Sequence, residues 1–157
     1  DELITTPDFP ALLLDYSEVE FLLAEAAARG YVVGGTDATH YTAAITASIL
    51  YWGGSAGDAV TYIAQASVNY PTAAGTYKQK IVTQKWLALY NRGWDDWTDW
   101  RRLDFPVLPA PVDAVSITPR RYPYPVNEQN VNRANYEAAA AAIGGDLVTT
   151  KLWFDKF

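Results

Sequence analysis

Six of the nine prolines in this 157-residue chain fall between Pro106 and Pro125. Each fixes φ near the helical value but removes a backbone donor, which bars such a stretch from a helix interior or a central strand. The chain must therefore change character at Phe105. Tyrosine and asparagine are frequent in and just after the stretch, which argues for an ordered, anchored loop rather than a floppy linker.

Upstream, the apolar residues follow the 3.6-residue period. Ser17 and Glu20 read as a capping box at a helix start, with Val19, Leu22, Leu23, Ala26 and Ala27 on its apolar face and Gly30 at its end. A second helix opens at Thr36 or Asp37, carries Tyr41, Ala44, Ile45, Ser48, Ile49 and Trp52 on one face, and stops at Gly53-Gly54. Ala26, Ala27, Ala43, Ala44 and Ala47 let this pair approach closely. A third helix is expected from Ala56 to about Val68, with Ala59, Tyr62, Ile63 and Ala66 on one side. The longest runs from Gly75 or Thr76 to about Asn91, with Ile81, Lys85, Trp86, Leu89 and Tyr90 on its face. A short helix ending near Leu103 follows, then the proline-rich region, then an alanine-rich helix from about Asn132 to Ile143. The tail from Lys151 to Asp155 is aromatic and is expected to dock on the body. The fold class is all-α: tetratricopeptide-like helical hairpins followed by a long ordered Pro-rich loop region, since Tyr41-x-x-Ala44 fits the second helix of such repeats.

Composition removes several functions. Half the residues are hydrophobic and 14% are aromatic, enough for a true core. A formal charge of −6 lacks the positive excess of a phosphate-backbone binder. With no cysteine and one histidine, His40, a zinc site of the usual kind is not expected, and no cofactor is implied. No run of apolar residues is long enough to span a bilayer.

Trp94, Trp97 and Trp100 stand three residues apart among Asp95, Asp96 and Asp99, just before Arg101-Arg102. On a helix this spacing makes a drifting aromatic stripe. Such stripes beside acids occur in sugar-binding clefts, but they more often belong to a core. Asp96 and Asp99, or Asp95 and Asp99, could approach the separation of a retaining glycosidase pair. The neighbouring arginines would push an acid's pKa down, however, which is wrong for a general acid.

The run Ile81-x-x-Gln84-Lys85-Trp86-Leu87-Ala88-Leu89, followed by Gly93, Trp97, Asp99, Arg101-Arg102 and Pro106, resembles the C-terminal region of the SusD/RagB family. So does Pro119-Arg120-Arg121-Tyr122-Pro123-Tyr124-Pro125 with Glu128, Asn132 and Asn135, and so does the ending Gly144-Gly145-Asp146, Thr150-Lys151, Trp153-Phe154-Asp155. Leu22-Leu23-Ala24-Glu25-Ala26 and Tyr41-x-x-Ala44-Ile45-x-x-Ser48-Ile49 look like its last tetratricopeptide-type pair. The resemblance implies the C-terminal portion of an outer-membrane, cell-surface lipoprotein of Bacteroidetes, whose lipid-anchor region and N-terminal part lie outside this chain. It implies non-enzymatic binding of oligosaccharides or another nutrient and delivery to a TonB-dependent transporter. The expected parts are a helix pair over 16–52, further helices over 56–104, and loop, short helix and aromatic tail over 105–157.

The expected ligand-binding residues are Tyr51 and Trp52, before Gly53-Gly54, and Trp94 after Gly93. Aromatics at helix ends beside glycine are the least assured of burial. Trp86, Trp97, Arg101, Arg102, Arg120, Arg121 and Trp153 are expected to be structural, with Trp86 and Trp153 in the core and Trp97 buried against the long helix. Arg101 and Arg102 are expected to pair with Asp96, Asp99 or Asp104, and Arg120 and Arg121 to tether the loop. The alternative function is a protein-interaction scaffold that docks on the transporter without touching glycan; a glycoside hydrolase ranks lower.

Overall fold

The computed structural model describes residues 5–155. Among these the chain forms helices α1 (Tyr16–Ala28), α2 (Asp37–Tyr51), α3 (Ala56–Ile63), α4 (Tyr77–Ala88), α5 (Gly93–Leu103), α6 (Val126–Val131) and α7 (Arg133–Ile143), then a 3-10 turn at Trp153–Asp155. No strand occurs among the described residues. The chain divides into two compact units, 1–96 and 97–157, with the boundary inside α5.

In the first unit α1 packs on α2 and α4, and α2 also meets α3 and α4. Phe21, Ala24, Tyr41, Ala44, Ile45, Val68, Ile81 and Ala88 form the core. Its helices start where side chains satisfy their first orphan donors. Thr36 with Thr39, Ser55 with Asp58 and Thr76 with Gln79 make reciprocal capping boxes on α2, α3 and α4. Tyr41, fully buried, donates its hydroxyl to the Val68 carbonyl at 2.8 Å, tying α2 to the turns after α3.

Several expectations change here. Ser17 and Glu20 are not a capping box. Asp15 caps α1 by accepting from the Glu18 N–H at 2.7 Å. Ser17 Oγ donates to the Ala44 carbonyl at 2.8 Å, and the Glu20 carboxylate lies 2.6 Å from His40 Nδ1. Both residues join α1 to α2. The apolar face of α1 is accordingly Phe21 and Ala24, whereas Leu22 is exposed and Val19, Leu23, Ala26 and Ala27 are half-buried. Helix α3 stops at Ile63, leaving Ala66 exposed in a run of turns. Helix α4 stops at Ala88, because Asn91 takes a left-handed φ of 71°. The longest helix is α2, at 15 residues.

The second unit is built differently. Trp100 and Leu103 are its buried apolar side chains, while α6 and α7 bury none. Charged groups hold it instead. Arg121 lies buried against Asp146, whose Oδ1 also accepts from the Tyr124 N–H at 3.0 Å. Arg120 binds both oxygens of Asp155 at 2.8 and 2.7 Å and Asp104 at 2.6 Å. The loop's carbonyls, which lack proline N–H neighbours to pair with, accept from α5. Trp97 Nε1 donates to Pro119 at 2.8 Å, Trp100 Nε1 to Pro106 at 3.1 Å, and Arg101 to Arg120 at 3.1 Å.

Candidate functional site

Two aromatic-walled cavities lie in the first unit. The larger, about 320 Å³, is lined by Thr6, Phe9, Pro10, Ala11, Leu12, Tyr51, Trp52, Tyr90, Asn91 and Arg92. Its walls come from three places: the irregular, turn-containing segment before α1, the C-terminus of α2, and the chain just past α4. Gly53, at φ 88°, ends α2 in a left-handed residue, which leaves Tyr51 and Trp52 on its last turn. The left-handed Asn91 turns the chain after Tyr90.

The rings form one cluster. Phe9 and Trp52 are stacked with centroids 6.5 Å apart and planes at 19°. Tyr51 and Tyr90 meet Trp52 edge-on at 5.2 and 5.5 Å. Such edge and offset contacts suit ring quadrupoles and make a rigid apolar wall. Tyr51 is 40% exposed and Tyr90 59% exposed, so these two present free surface to a ligand, while Trp52 is half-buried between them.

Beneath them sits Arg92, its side chain only 8% exposed. Its Nε donates to Asp95 at 3.1 Å, Nη2 donates to Glu18, and the buried Nη1 lies 3.6 Å from Asp15 without a hydrogen bond. Burial works against its charge, but the carboxylates of Glu18 and Asp95 outweigh burial and raise its pKa above the ordinary guanidinium value.

The second cavity, about 220 Å³, is lined by Ile45, Ser48, Ile49, Trp52, Tyr62, Gln84, Leu87 and Ala88. Trp52 lines both.

Tyr51 and Trp52 thus come together at one cavity. Trp94 is 67% exposed and does not line it. Phe9 and Tyr90 are the aromatics that sequence reasoning missed as ligand candidates. The periodicity places Tyr90 on the apolar face of the fourth helix; its position just before the left-handed Asn91 is the signal that sets it apart. Phe9 left none, since its contact with Trp52 spans most of α1 and α2.

Among the residues expected to be structural, Trp97 is half-buried, with the Arg101 guanidinium 3.7 Å over its ring and Tyr122 edge-on at 5.9 Å. Arg102 pairs with Asp99 at 2.8 Å. Arg101 makes no carboxylate hydrogen bond of that kind: it donates to backbone carbonyls and stacks on Trp97 and Phe154, and burial lowers its pKa. Arg120 and Arg121 hold the loop as described. Trp86 is only half-buried, and Trp153 is 78% exposed with its edge on Phe154, so neither lies in a core. For Trp153 the reason is local: the 3-10 turn points Asp155 inward to Arg120 and leaves the first ring of the turn outside.

The acids beside the tryptophans are engaged by arginine, Asp95 by Arg92 and Asp99 by Arg102. Among the described residues no group of three or more His, Cys, Asp or Glu side chains could hold a metal ion, and no helix is long and apolar enough to cross a membrane.

This all-helical arrangement matches a known class. A family model described as SusD-like, starch-binding and associating with the outer membrane matches residues 1–125. The chain belongs to the SusD-like family. Among solved structures it is similar to a SusD-like protein of Bacteroidetes AC2a, at 29% identity and a TM-score of 0.82 over 100% of this chain and 33% of that one. A chitin-binding SusD homologue of Flavobacterium johnsoniae gives 32% identity and 0.74, over 91% of this chain and 36% of that one. A SusD homologue of Bacteroides thetaiotaomicron gives 27% and 0.77, over 98% and 40%. The chain therefore spans between 33% and 40% of the length of these relatives. Comparison with curated proteins gives no match.

Proposed function

We propose that this chain is the C-terminal portion of a SusD-like surface lipoprotein that captures oligosaccharides without chemistry and passes them to a TonB-dependent transporter of the outer membrane. Family membership supports the class. The observation that carries the role of this portion is the cavity walled by Phe9, Tyr51, Trp52 and Tyr90, with neutral polar groups of Thr6 and Asn91 at its edge. Aromatic faces stack on the apolar faces of sugar rings, and a few polar groups then fix orientation. The pair α1–α2 serves as the tetratricopeptide-like frame that holds the wall, with α3 and α4 packed on α2.

The test is affinity electrophoresis of the chain against soluble polysaccharides, repeated with a Tyr51→Ala/Tyr90→Ala double variant. Retention that disappears in the folded variant supports the site. Retention unchanged in the variant moves glycan contact elsewhere.

A second reading, docking on the transporter without glycan contact in this portion, draws on the exposed apolar residues Val107, Val112, Val115 and Ile117 of the loop. Transporter binding that survives without sugar and falls on Val112→Asp/Val115→Asp substitution would favour it.

A further inference from the structure

Ile45, Ser48, Ile49 and Trp52 stand three or four positions apart along α2 and its cap and so share one face. Gln84, Leu87 and Ala88 do the same on α4, and Tyr62 meets them from α3. The helices leave a gap there, the second cavity of about 220 Å³. Ile45, Gln84 and Ala88 are buried at its floor, and Leu87 is exposed at its rim.

Two donors in this apolar space have no protein partner among the described residues. Gln84 is 8% exposed, and its Oε1 accepts from the Tyr62 hydroxyl at 3.0 Å, a bond that crosses from α3 to α4 and orients the amide. Its Nε2 is left over. So is the hydroxyl of half-buried Ser48. A helical serine commonly turns back to the carbonyl four residues earlier. Here that carbonyl belongs to Ala44, which already accepts from Ser17 Oγ at 2.8 Å.

These walls choose a chemical class. A charged ligand would lose its hydration against Ile45, Ile49, Trp52, Leu87 and Ala88, and none of the described lining residues carries a charge. A sugar ring bears more hydroxyls than Ser48, Tyr62 and Gln84 can pair. A pure hydrocarbon would displace water from the two spare donors and leave them unsatisfied. An uncharged apolar group with an acceptor oxygen meets every wall. An apolar cavity of about 150 Å³ takes a benzene ring, so this one has room for a ring and a carbonyl, with Trp52 and Tyr62 to pack against the ring.

We propose that this cavity is a second ligand site that holds an uncharged aromatic acyl group, its ring beside Trp52 and its carbonyl oxygen accepting from Ser48 and Gln84. The group arrives as a free ester or as an ester substituent on a glycan. The site stands on its own walls, whether or not the neighbouring cavity holds sugar.

The experiment is calorimetry of the full chain with methyl cinnamate, with cinnamate anion, and with a cinnamoyl-esterified oligosaccharide before and after saponification. Saturable binding of methyl cinnamate is expected, with the anion roughly tenfold or more weaker. Ser48→Ala should weaken the ester about fivefold by removing one hydrogen bond. Ser48→Leu fills the space and should abolish binding, with the helical circular dichroism of both variants unchanged. Tighter binding of the esterified oligosaccharide than of methyl cinnamate, lost on saponification, assigns the group to glycan; equal or weaker binding assigns it to the free ester. No binding of methyl cinnamate, binding that both variants leave intact, or equal affinity for the anion overturns the proposal.

Discussion

Arg120 sets one guanidinium nitrogen 2.8 and 2.7 Å from the two carboxylate oxygens of Asp155, thirty-five positions along the chain, and its other terminal nitrogen 2.6 Å from Asp104. Asp155 is 2% exposed. A unit with so few buried apolar side chains depends on this knot. Arg120→Ala leaves a buried carboxylate without its main partner and is expected to cost about 3–5 kcal/mol. Arg120→Lys restores charge but not the fork, and should recover only part of it. Urea unfolding of the full chain, followed through tryptophan emission, checks both; an Arg120→Ala loss below about 1 kcal/mol contradicts this account.

Acid should loosen the same unit. Burial would raise the pKa of Asp104, but Lys151 and Arg120 outweigh it and lower the pKa. Burial likewise opposes, and Arg121 with the Tyr124 N–H outweighs it at Asp146. A carboxylate whose folded pKa lies below its unfolded value contributes stability that is complete above the unfolded value, near 4, and is lost as pH falls through the folded one. Thermal midpoints should therefore be flat from pH 7 to about 5 and drop below about 4. In Arg121→Ala, where the partner of Asp146 is gone, the midpoint should start lower and the acid drop should be shallower. A parallel acid profile for wild type and variant would refute the assignment.

The α1–α2 contact predicts two losses of different kinds. Ser17→Ala removes the hydroxyl that crosses from α1 to the Ala44 carbonyl of α2, at about 1 kcal/mol. Asp15→Ala removes the N-cap at about 1 kcal/mol. The cross-helix bond should be visible in a double-mutant cycle between Ser17 and a residue of α2 near Ala44, whereas Asp15 should show no coupling to α2.

Gly35→Ala places a methyl 2.6 Å from His40 Nε2, a buried atom with no hydrogen bond, on a ring held by Glu20. The ring has little room to yield. A loss of about 1–3 kcal/mol is expected. Recovery on combining Gly35→Ala with a smaller residue at His40 would show that the clash is with this ring.

Trp94→Ala should leave glycan retention unchanged, since this ring does not line the cavity, whereas Tyr90→Ala should weaken it by roughly tenfold, in line with loss of one aromatic contact. Calorimetry with any neutral polymer that the chain retains separates the two.

Some helix boundaries were readable because caps and glycines act locally: Gly53 and Gly144 end α2 and α7 in left-handed residues, and Thr36 and Thr76 cap α2 and α4, whereas the ends of α3 and α4 fall short of the apolar periodicity that the sequence continues to show. The phase of α1 was not readable. Its sequence is apolar on nearly every side, so a period alone does not choose a face, and the choice is made by Ser17 and Glu20 reaching residues on α2. The candidate site was half readable for a similar reason. Tyr51 and Trp52 announce themselves beside glycine, but Phe9 and the three carboxylates around Arg92 are brought there by tertiary contacts. Exposure of Trp153 was unreadable because it follows from where Asp155 must point.

Trp52 faces the aromatic cavity on one side and the apolar space between α2, α3 and α4 on the other. It is a party wall. A smaller side chain there would fuse two rooms into one, and a reshaped one would alter both at once. Cavity shape and helix packing in this chain are thus inherited together through a single ring, whereas Phe9, Tyr51 and Tyr90 border one room only.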